Sequence, residues 1–369
     1  MEIRLNRQDF VNELVPMLGV VERKTTIPVL SHVLLTARQD KLHLAATDLD
    51  VSLTSSCAAD VKEEGSLPVP AKKFIEIVRS MDGEEVLLRQ EEPGWLSIQG
   101  GRSRFKIHAL QVDDFPTLPE VGEGARFEVP FKTFKGMIGK VLFAISAEES
   151  RFQLNGALLK VKEGFVEMVA TDGRRLALVE EAIETASGED SVLVPRKALH
   201  ELQRFEGGDT LALQRGEHHV VFRLGRRELI CRILEGTFPD YERVIAKDND
   251  KHVEFPVADL AAAVQRVAIV TGDRARTVQL SFDTDELIVQ TQNPDLGDAL
   301  EVLPCDYKDA AFRIGINPDY LRDFLSAVGS ERVRLELKDE NTQCVGFPVA
   351  ETEGAEDGRY LCVIMPMRL

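Results

Sequence analysis

Two kinds of hydrophobic pattern alternate along the chain. Apolar residues at i, i+3 or i+4, and i+7 or i+8 mark amphipathic helices. Such stretches start at Phe10 (with Leu14, Met17, Leu18), Phe74 (Ile77, Val78, Met81) and Phe134 (Met137, Ile138, Val141, Leu142). Others start at Leu199 (Leu202), Leu260 (Val264, Val267) and Leu321 (Phe324, Leu325, Val328), so six helices are predicted at spacings of 60–65 residues. Between them lie period-two or β-rich runs such as Trp95-Leu96-Ser97-Ile98, Phe105-Lys106-Ile107, Val220–Leu224 and Val333–Leu337. Turn signals at Asp82-Gly83, Glu92-Pro93-Gly94 and Gly207-Gly208-Asp209 bound these strands. Each repeat is therefore an α+β unit, one helix covering a face of a mainly antiparallel sheet.

A longer period contains the shorter one. Ala46-Thr47-Asp48-Leu49-Asp50-Val51-Ser52-Leu53 returns as Ala170-Thr171-Asp172-Gly173-Arg174-Arg175-Leu176-Ala177-Leu178, a spacing of 124 residues from Thr47 to Thr171. Phe115-Pro116 returns as Phe238-Pro239, and Val69-Pro70 with Phe74 returns as Val194-Pro195 with Leu199. One third of 369 residues is 123, so three similar domains of two half-repeats each account for the chain. The expected domains are 1–122, 126–247 and 251–369, with polar linkers at Glu120–Gly124 and Ala246–Lys251.

Composition narrows the function. Acidic residues number 62 against 45 basic, a net charge of −17, so the globally basic footprint of a nucleic-acid binder is absent. A basic face can still sit within an acidic total. The N-terminus lacks a basic and apolar leader and no run of about 18 apolar residues occurs, which predicts a cytoplasmic protein with no membrane partner. Five scattered cysteines, without CxxC or zinc-ligand spacing to His, predict reduced thiols.

Candidate chemistry is sparse. Gly136-Met137-Ile138-Gly139-Lys140 lacks the spacing of a phosphate-binding loop and reads as helix interior. Asp48/Asp50 and Asp113/Asp114 are pairs that an acid-rich chain produces by chance, and His218-His219 reads as a solvated turn. No nucleophile elbow or HExxH occurs, so neither a catalytic site nor a metal or cofactor is expected. Charge placement says more. The helix expected over about Phe131–Ser146 carries Lys132, Lys135 and Lys140 and no acid. Lys72, Lys73 and Arg79 stand against Glu76 near Phe74, and Arg196, Lys197 and Arg204 against Glu201 near Leu199. Basic residues repeated on related helices predict one common positive surface.

The chain also carries Ile27-Pro28-Val29-Leu30, Arg151 with Leu154-Asn155-Gly156, Ala170–Leu176, Phe238-Pro239-Asp240-Tyr241 with Arg243-Val244, and Val363-Ile364-Met365-Pro366-Met367-Arg368-Leu369. With these motifs the chain resembles, over its full length, the bacterial DNA polymerase III beta subunit family of sliding clamps. The resemblance implies a three-domain crescent that dimerises head to tail into a ring, with helices around the hole and sheets outside. It implies a DNA-replication processivity factor with no catalytic site, encircling double-stranded DNA non-specifically. Implied partners are a second copy, clamp loader subunits, the polymerase III alpha subunit, and other polymerases or repair proteins carrying clamp-binding peptides.

The resemblance also implies residues. Peptide binding falls to Leu154, Thr171, Gly173, Arg174, Arg175 and Leu176, to Pro239, Arg243 and Val244, and to Val363, Met365, Pro366, Met367 and Arg368. Arg174 departs from a family position often held by His. DNA contact falls to Lys24, Lys72, Glu148, Phe152, Gln153, Arg196 and Lys197, with Phe152-Gln153 standing in place of an aromatic pair. The dimer contact falls to Phe105 and Ile107 against Ile269 and Val270, with Lys72 or Lys73 facing Asp298 or Glu301. The tail Met365–Leu369 is expected at a docking surface, so that its removal abolishes partner binding and leaves thermal unfolding nearly unchanged. The competing readings are an enzyme on nucleic acid, which needs a metal-dependent rate, and an adaptor that stays monomeric.

Overall fold

The computed structural model describes residues 1–22, 25–122, 124–148, 150–183, 189–272, 276–349 and 358–369. Lys24, and Glu123 within the expected linker Glu120–Gly124, lie outside the described residues. The helices are α1 (Arg7–Leu14), α2 (Met17–Val20), α3 (Ala71–Ser80), α4 (Phe131–Val141), α5 (Arg196–Arg204), α6 (Val257–Ala268) and α7 (Pro318–Ala327). Five of the six predicted helices are single elements. The first is split, because Pro16 supplies no N–H and its ring is incompatible with a continuous helix, so α1 stops and α2 restarts one turn on. Two ends also differ from expectation. α4 closes at Val141 instead of Ser146, followed by a tight turn over Leu142–Ala144. Lys251 opens the strand Lys251–Pro256, and the preceding segment is held down by Asn249, whose amide donates to the Glu336 carbonyl at 2.8 Å. No helix among the described residues is long and apolar enough to cross a membrane.

The chain forms two compact units. Unit 1 (Met1–Phe134 and Lys197–Ile233) holds a five-stranded sheet that ends on the strand Ser103–His108 and an eight-stranded sheet running from Arg126–Pro130 to Gly65–Pro70. All pairings are antiparallel, and Phe10 meets Phe74 edge-on at 5.7 Å beneath α1 and α3. A buried carboxylate of this unit is partnered, whereas Ser97 Oγ and Gln203 Oε1 are buried without a hydrogen-bond partner. The buried Glu13 carboxylate accepts from Ser55 at 2.6 Å and pairs with Arg227 at 2.9 Å, as a buried charge must. Gly19 leaves room for Glu201, whose carboxylate would lie 1.6 Å from a Cβ there.

Unit 2 (Lys135–Arg196 and Leu234–Leu369) holds the other two sheets. The larger runs in the spatial order Asp190–Pro195, Gly156–Lys162, Phe165–Thr171, Arg175–Ala182, Arg359–Ile364, Cys344–Val349, Arg332–Leu337, Lys251–Pro256. The smaller runs Gly297–Pro304, Glu286–Asn293, Val278–Asp283, Phe312–Ile316. α7 starts on Asn317, whose side chain accepts the Asp319 N–H at 2.9 Å, with Pro318 at the first helical position.

The sequence repeat has a structural counterpart in one turn made twice. Thr171 Oγ1 donates to the Arg175 carbonyl at 2.7 Å and accepts from the Gly173 N–H, while Asp172 Oδ1 accepts from the Arg174 and Arg175 N–H groups. Thr47 Oγ1 and Asp48 Oδ1 make the same four bonds to Val51, Leu49, Asp50 and Val51. Both turns need one residue in the left-handed region: Gly173 at φ 84° in one, Leu49 at φ 82° in the other. Only the first uses the residue that adopts it without strain. Asp48 is thus a turn-forming carboxylate that also pairs with Lys197.

Candidate functional site

Alternation along four strands of unit 2 builds an apolar floor. Register sets Leu158 opposite Val169, Val169 opposite Leu178, Leu178 opposite Leu361, and Leu176 opposite Val363, so all six share one sheet face. The segment after Leu234 crosses this face and adds Phe238, Tyr241, Val244 and Ile245 to the same cluster. Leu176 and Val363 are buried, whereas Phe238 and Val244 are only partly covered, so the sheet face and this segment are read as the floor and apolar wall of a candidate groove. Pro239 and Arg243 stand exposed on that wall, Arg243 paired with Asp240 at 2.7 Å.

One rim of the groove is the Thr171–Arg175 turn. Arg175 is held from three sides: Asp172 at 3.1 Å, Asp323 at 2.6 Å, and the Tyr320 ring 4.5 Å beneath its guanidinium. The Arg174 carbonyl accepts the Met365 N–H at 2.9 Å, and the neighbouring Tyr320 raises the pKa of the Arg174 guanidinium above its ordinary value. Gly173 holds its turn at φ 84°, and a Cβ there would lie 2.8 Å from the Arg151 guanidinium, the movable end of a half-exposed side chain. Leu154 is buried in the turn that carries Arg151, donating to its carbonyl at 2.8 Å.

The chain end forms the next part of the rim. After Met365, Pro366 withholds a donor, and Met367 donates to the Gly315 carbonyl at 2.8 Å along the edge of the strand Phe312–Ile316. Met367 Sδ accepts from Thr277 at 3.5 Å, and Leu369 leans on Gly315, with Arg368 exposed beside it. This corrects one expectation: two backbone hydrogen bonds tie the tail to unit 2, so its removal also removes about 1–3 kcal/mol of net bonding.

All fourteen residues expected to bind peptide thus lie in unit 2, on the floor, the wall segment, the turn or the tail. Sequence reasoning missed Tyr320 and Asp323, which fix Arg175 from α7, and Tyr241, which stands in a quoted motif without a role. α7 carries no signal beyond its amphipathic period that would have singled them out.

The positions expected to touch DNA are less uniform. Lys72 and Arg196 are exposed, and Phe152 is 68% exposed. Glu148 pairs with Arg151 at 3.4 Å, and Gln153 packs near Gly236. Lys197 donates to the Val20 carbonyl at 2.9 Å and pairs with Asp48, so its charge is engaged within the chain. Lys140 likewise pairs with Glu181 at 2.9 Å, and Lys73 with Glu76 at 2.7 Å.

Two sheet edges collect the expected dimer residues. Phe105 and Ile107 lie on Ser103–His108, the last strand of the five-stranded sheet, and Asp298 and Glu301 on Gly297–Pro304, the last strand of the four-stranded one. Ile269, just past α6 with Val270, is 75% exposed. Glu301 is paired with Arg266 at 2.8 Å. Leu300 and Val302, 61% and 49% exposed on the same edge strand, belong with this group and were not anticipated.

Comparison with known proteins agrees with this arrangement from end to end. Sequence models of the DNA polymerase III beta subunit match as its N-terminal domain over residues 1–119, its central domain over 128–240 and its C-terminal domain over 242–368. The beta sliding clamps of Pseudomonas aeruginosa, Caulobacter vibrioides and Escherichia coli are 34%, 36% and 33% identical, each aligned over all of both chains. Among solved structures, the P. aeruginosa clamp bound to griselimycin superposes with a TM-score of 0.93 at 34% identity, again over the whole of both chains. Doubled turn, antiparallel sheets and full-length matches converge: the chain belongs to the DNA polymerase III beta subunit family, the bacterial sliding clamps.

Proposed function

We propose that two copies of this chain close head to tail around duplex DNA and that the unit 2 groove captures apolar peptides of the proteins tethered there. The carrying observation is the groove itself: a buried floor at Leu176 and Val363, a half-covered wall at Val244, and a chain end hydrogen-bonded along the rim. A partly open apolar cluster with fixed polar groups around it suits a short anchor of Leu or Phe. Met365 and Met367 adapt to varied partners, as a shared docking site requires. The partners in this reading are clamp loader subunits, the polymerase III alpha subunit, and other polymerases and repair proteins, in the cytoplasm.

DNA is held without being read. Phosphate contacts carry no base information, and exposed cations such as Lys72 and Arg196 attract the backbone through screened fields, so the ring slides. The exposed edge strands Ser103–His108 and Gly297–Pro304 are the supports for the dimer, since unpaired edges with exposed Phe105, Leu300 and Val302 invite strand addition from a second copy. The doubled Thr-Asp turn and the six-fold helix spacing support domains at 1–122, 126–247 and 251–369. The test is retention: protein loaded on a nicked circle stays bound and is lost when the circle is cut. Equal retention on both forms overturns encirclement.

A further inference from the structure

The sheet face that forms the groove floor changes character along its length. Beyond Leu158, Val169 and Leu178, the same alternation places Lys160 opposite Glu167 and Glu167 opposite Glu180. Glu167 is buried, with only 1% of its surface exposed, and Lys160 and Lys162 approach it at 3.7 and 3.4 Å. Tyr241 stands on the boundary between the two halves. Its ring belongs to the apolar cluster, edge-on to Phe238 at 6.2 Å, and its carbonyl accepts the Val244 N–H at 3.0 Å. Its hydroxyl reaches the polar half, donating to Glu167 Oε1 at 2.5 Å and accepting from Lys160 Nζ at 2.5 Å, with the ammonium 4.5 Å from the ring centroid.

We propose that Tyr241 is the positioning residue of the groove: its hydroxyl, clamped between Glu167 and Lys160, fixes the segment Phe238–Val244 that forms the apolar wall. This rests on the reading of the groove as a peptide site. The wall segment contains one short turn, Tyr241–Arg243, and no strand pairing holds it to the sheet beneath. The tyrosine is the member of the segment that both fills the cluster and bonds to a buried charge. Burial and the adjacent Glu167 raise the phenol well above its ordinary range, so the hydroxyl remains a donor at every working pH.

The experiment uses the full-length protein and a labelled decapeptide selected on it from a random library. Tyr241→Phe keeps the ring and removes the clamp, and is expected to weaken binding about three- to tenfold, the range of one net hydrogen bond. Glu167→Gln retains an acceptor and restores wild-type affinity, whereas Glu167→Met lowers it as Tyr241→Phe does. In the Tyr241→Phe background Glu167→Met adds nothing, the non-additivity of one shared contact. Hydrogen exchange across 238–244 rises in the weakened variants while the sheet amides stay protected. Unchanged affinity in Tyr241→Phe, or an equal loss in Glu167→Gln, overturns the proposal. Val244→Glu separates the two readings: if it abolishes binding while Tyr241→Phe does not, only the positioning role fails, and if neither matters, the groove is not the peptide site.

Discussion

Replacing Gly315 by Ala moves the tail without cutting it. Gly315 lies in the strand Phe312–Ile316 and pairs with Gln279, a position where extended backbone accepts Ala. An added Cβ would lie 2.5 Å from the Met367 carbonyl oxygen and 2.9 Å from Leu369 Cδ2, both inside van der Waals contact. The strand is held by its ladder, so the tail must lift, breaking the Met367 to Gly315 bond. That loss is about 0.5–1.5 kcal/mol, and the half-exposed tail adds little apolar burial to it. Spread over a unit of this size it lowers the unfolding midpoint by about 2–4 °C. Peptide binding is expected to suffer more. An anchor loses the Met365 and Met367 side of its pocket, and one lost apolar contact of about 1.5–3 kcal/mol is a ten- to hundredfold fall in affinity. Fluorescence anisotropy of a labelled peptide, calorimetric unfolding and hydrogen exchange at Met367 together decide the matter. Affinity within twofold of wild type, with the Met367 amide shown to be released, would refute the assignment of the tail to the site.

Three further outcomes follow from the geometry. Leu49→Gly relieves a left-handed leucine and should raise stability in urea by about 1 kcal/mol, while Gly173→Ala costs at least as much because the same backbone is strained and Arg151 stands 2.8 Å away. The double replacement Ile269→Ala with Val270→Lys should yield soluble monomers in sedimentation. The chain's single tryptophan, Trp95, pairs with His108 beside the Phe105 edge and reports the change in fluorescence. Burial lowers the imidazole pKa of His32, His43 and His219 below the ordinary 6.5. The unfolded chain therefore binds these protons first, so stability is complete above pH 6.5 and declines as pH falls from there toward the lowered values. Urea midpoints at about pH 7.5 and about pH 5.5 should differ in that sense, and less so in His32→Gln; an unchanged difference removes His32 from the account.

Hydrophobic periodicity located the helices and the α+β repeat, because burying a helix face or strand face imposes a spacing that local sequence must obey, and recurring motifs such as Thr47-Asp48 and Thr171-Asp172 gave the three-fold period. The motifs around Thr171, Phe238 and Met365 likewise carried the family and most of the groove. Side-chain engagement was not legible. Lys72 and Lys197 look alike in the sequence, yet one is exposed and the other is bound to Asp48 and the Val20 carbonyl. Asp323 reaches Arg175 from 148 positions away, and Gly315 receives a tail whose attachment no local pattern announces. Leu300 and Val302 read as ordinary strand residues until the sheet ends on their strand and leaves them uncovered. Periodicity records which face of an element is buried; what buries it, and which charge meets which, depends on contacts between segments far apart in the chain, which only the folded structure brings together.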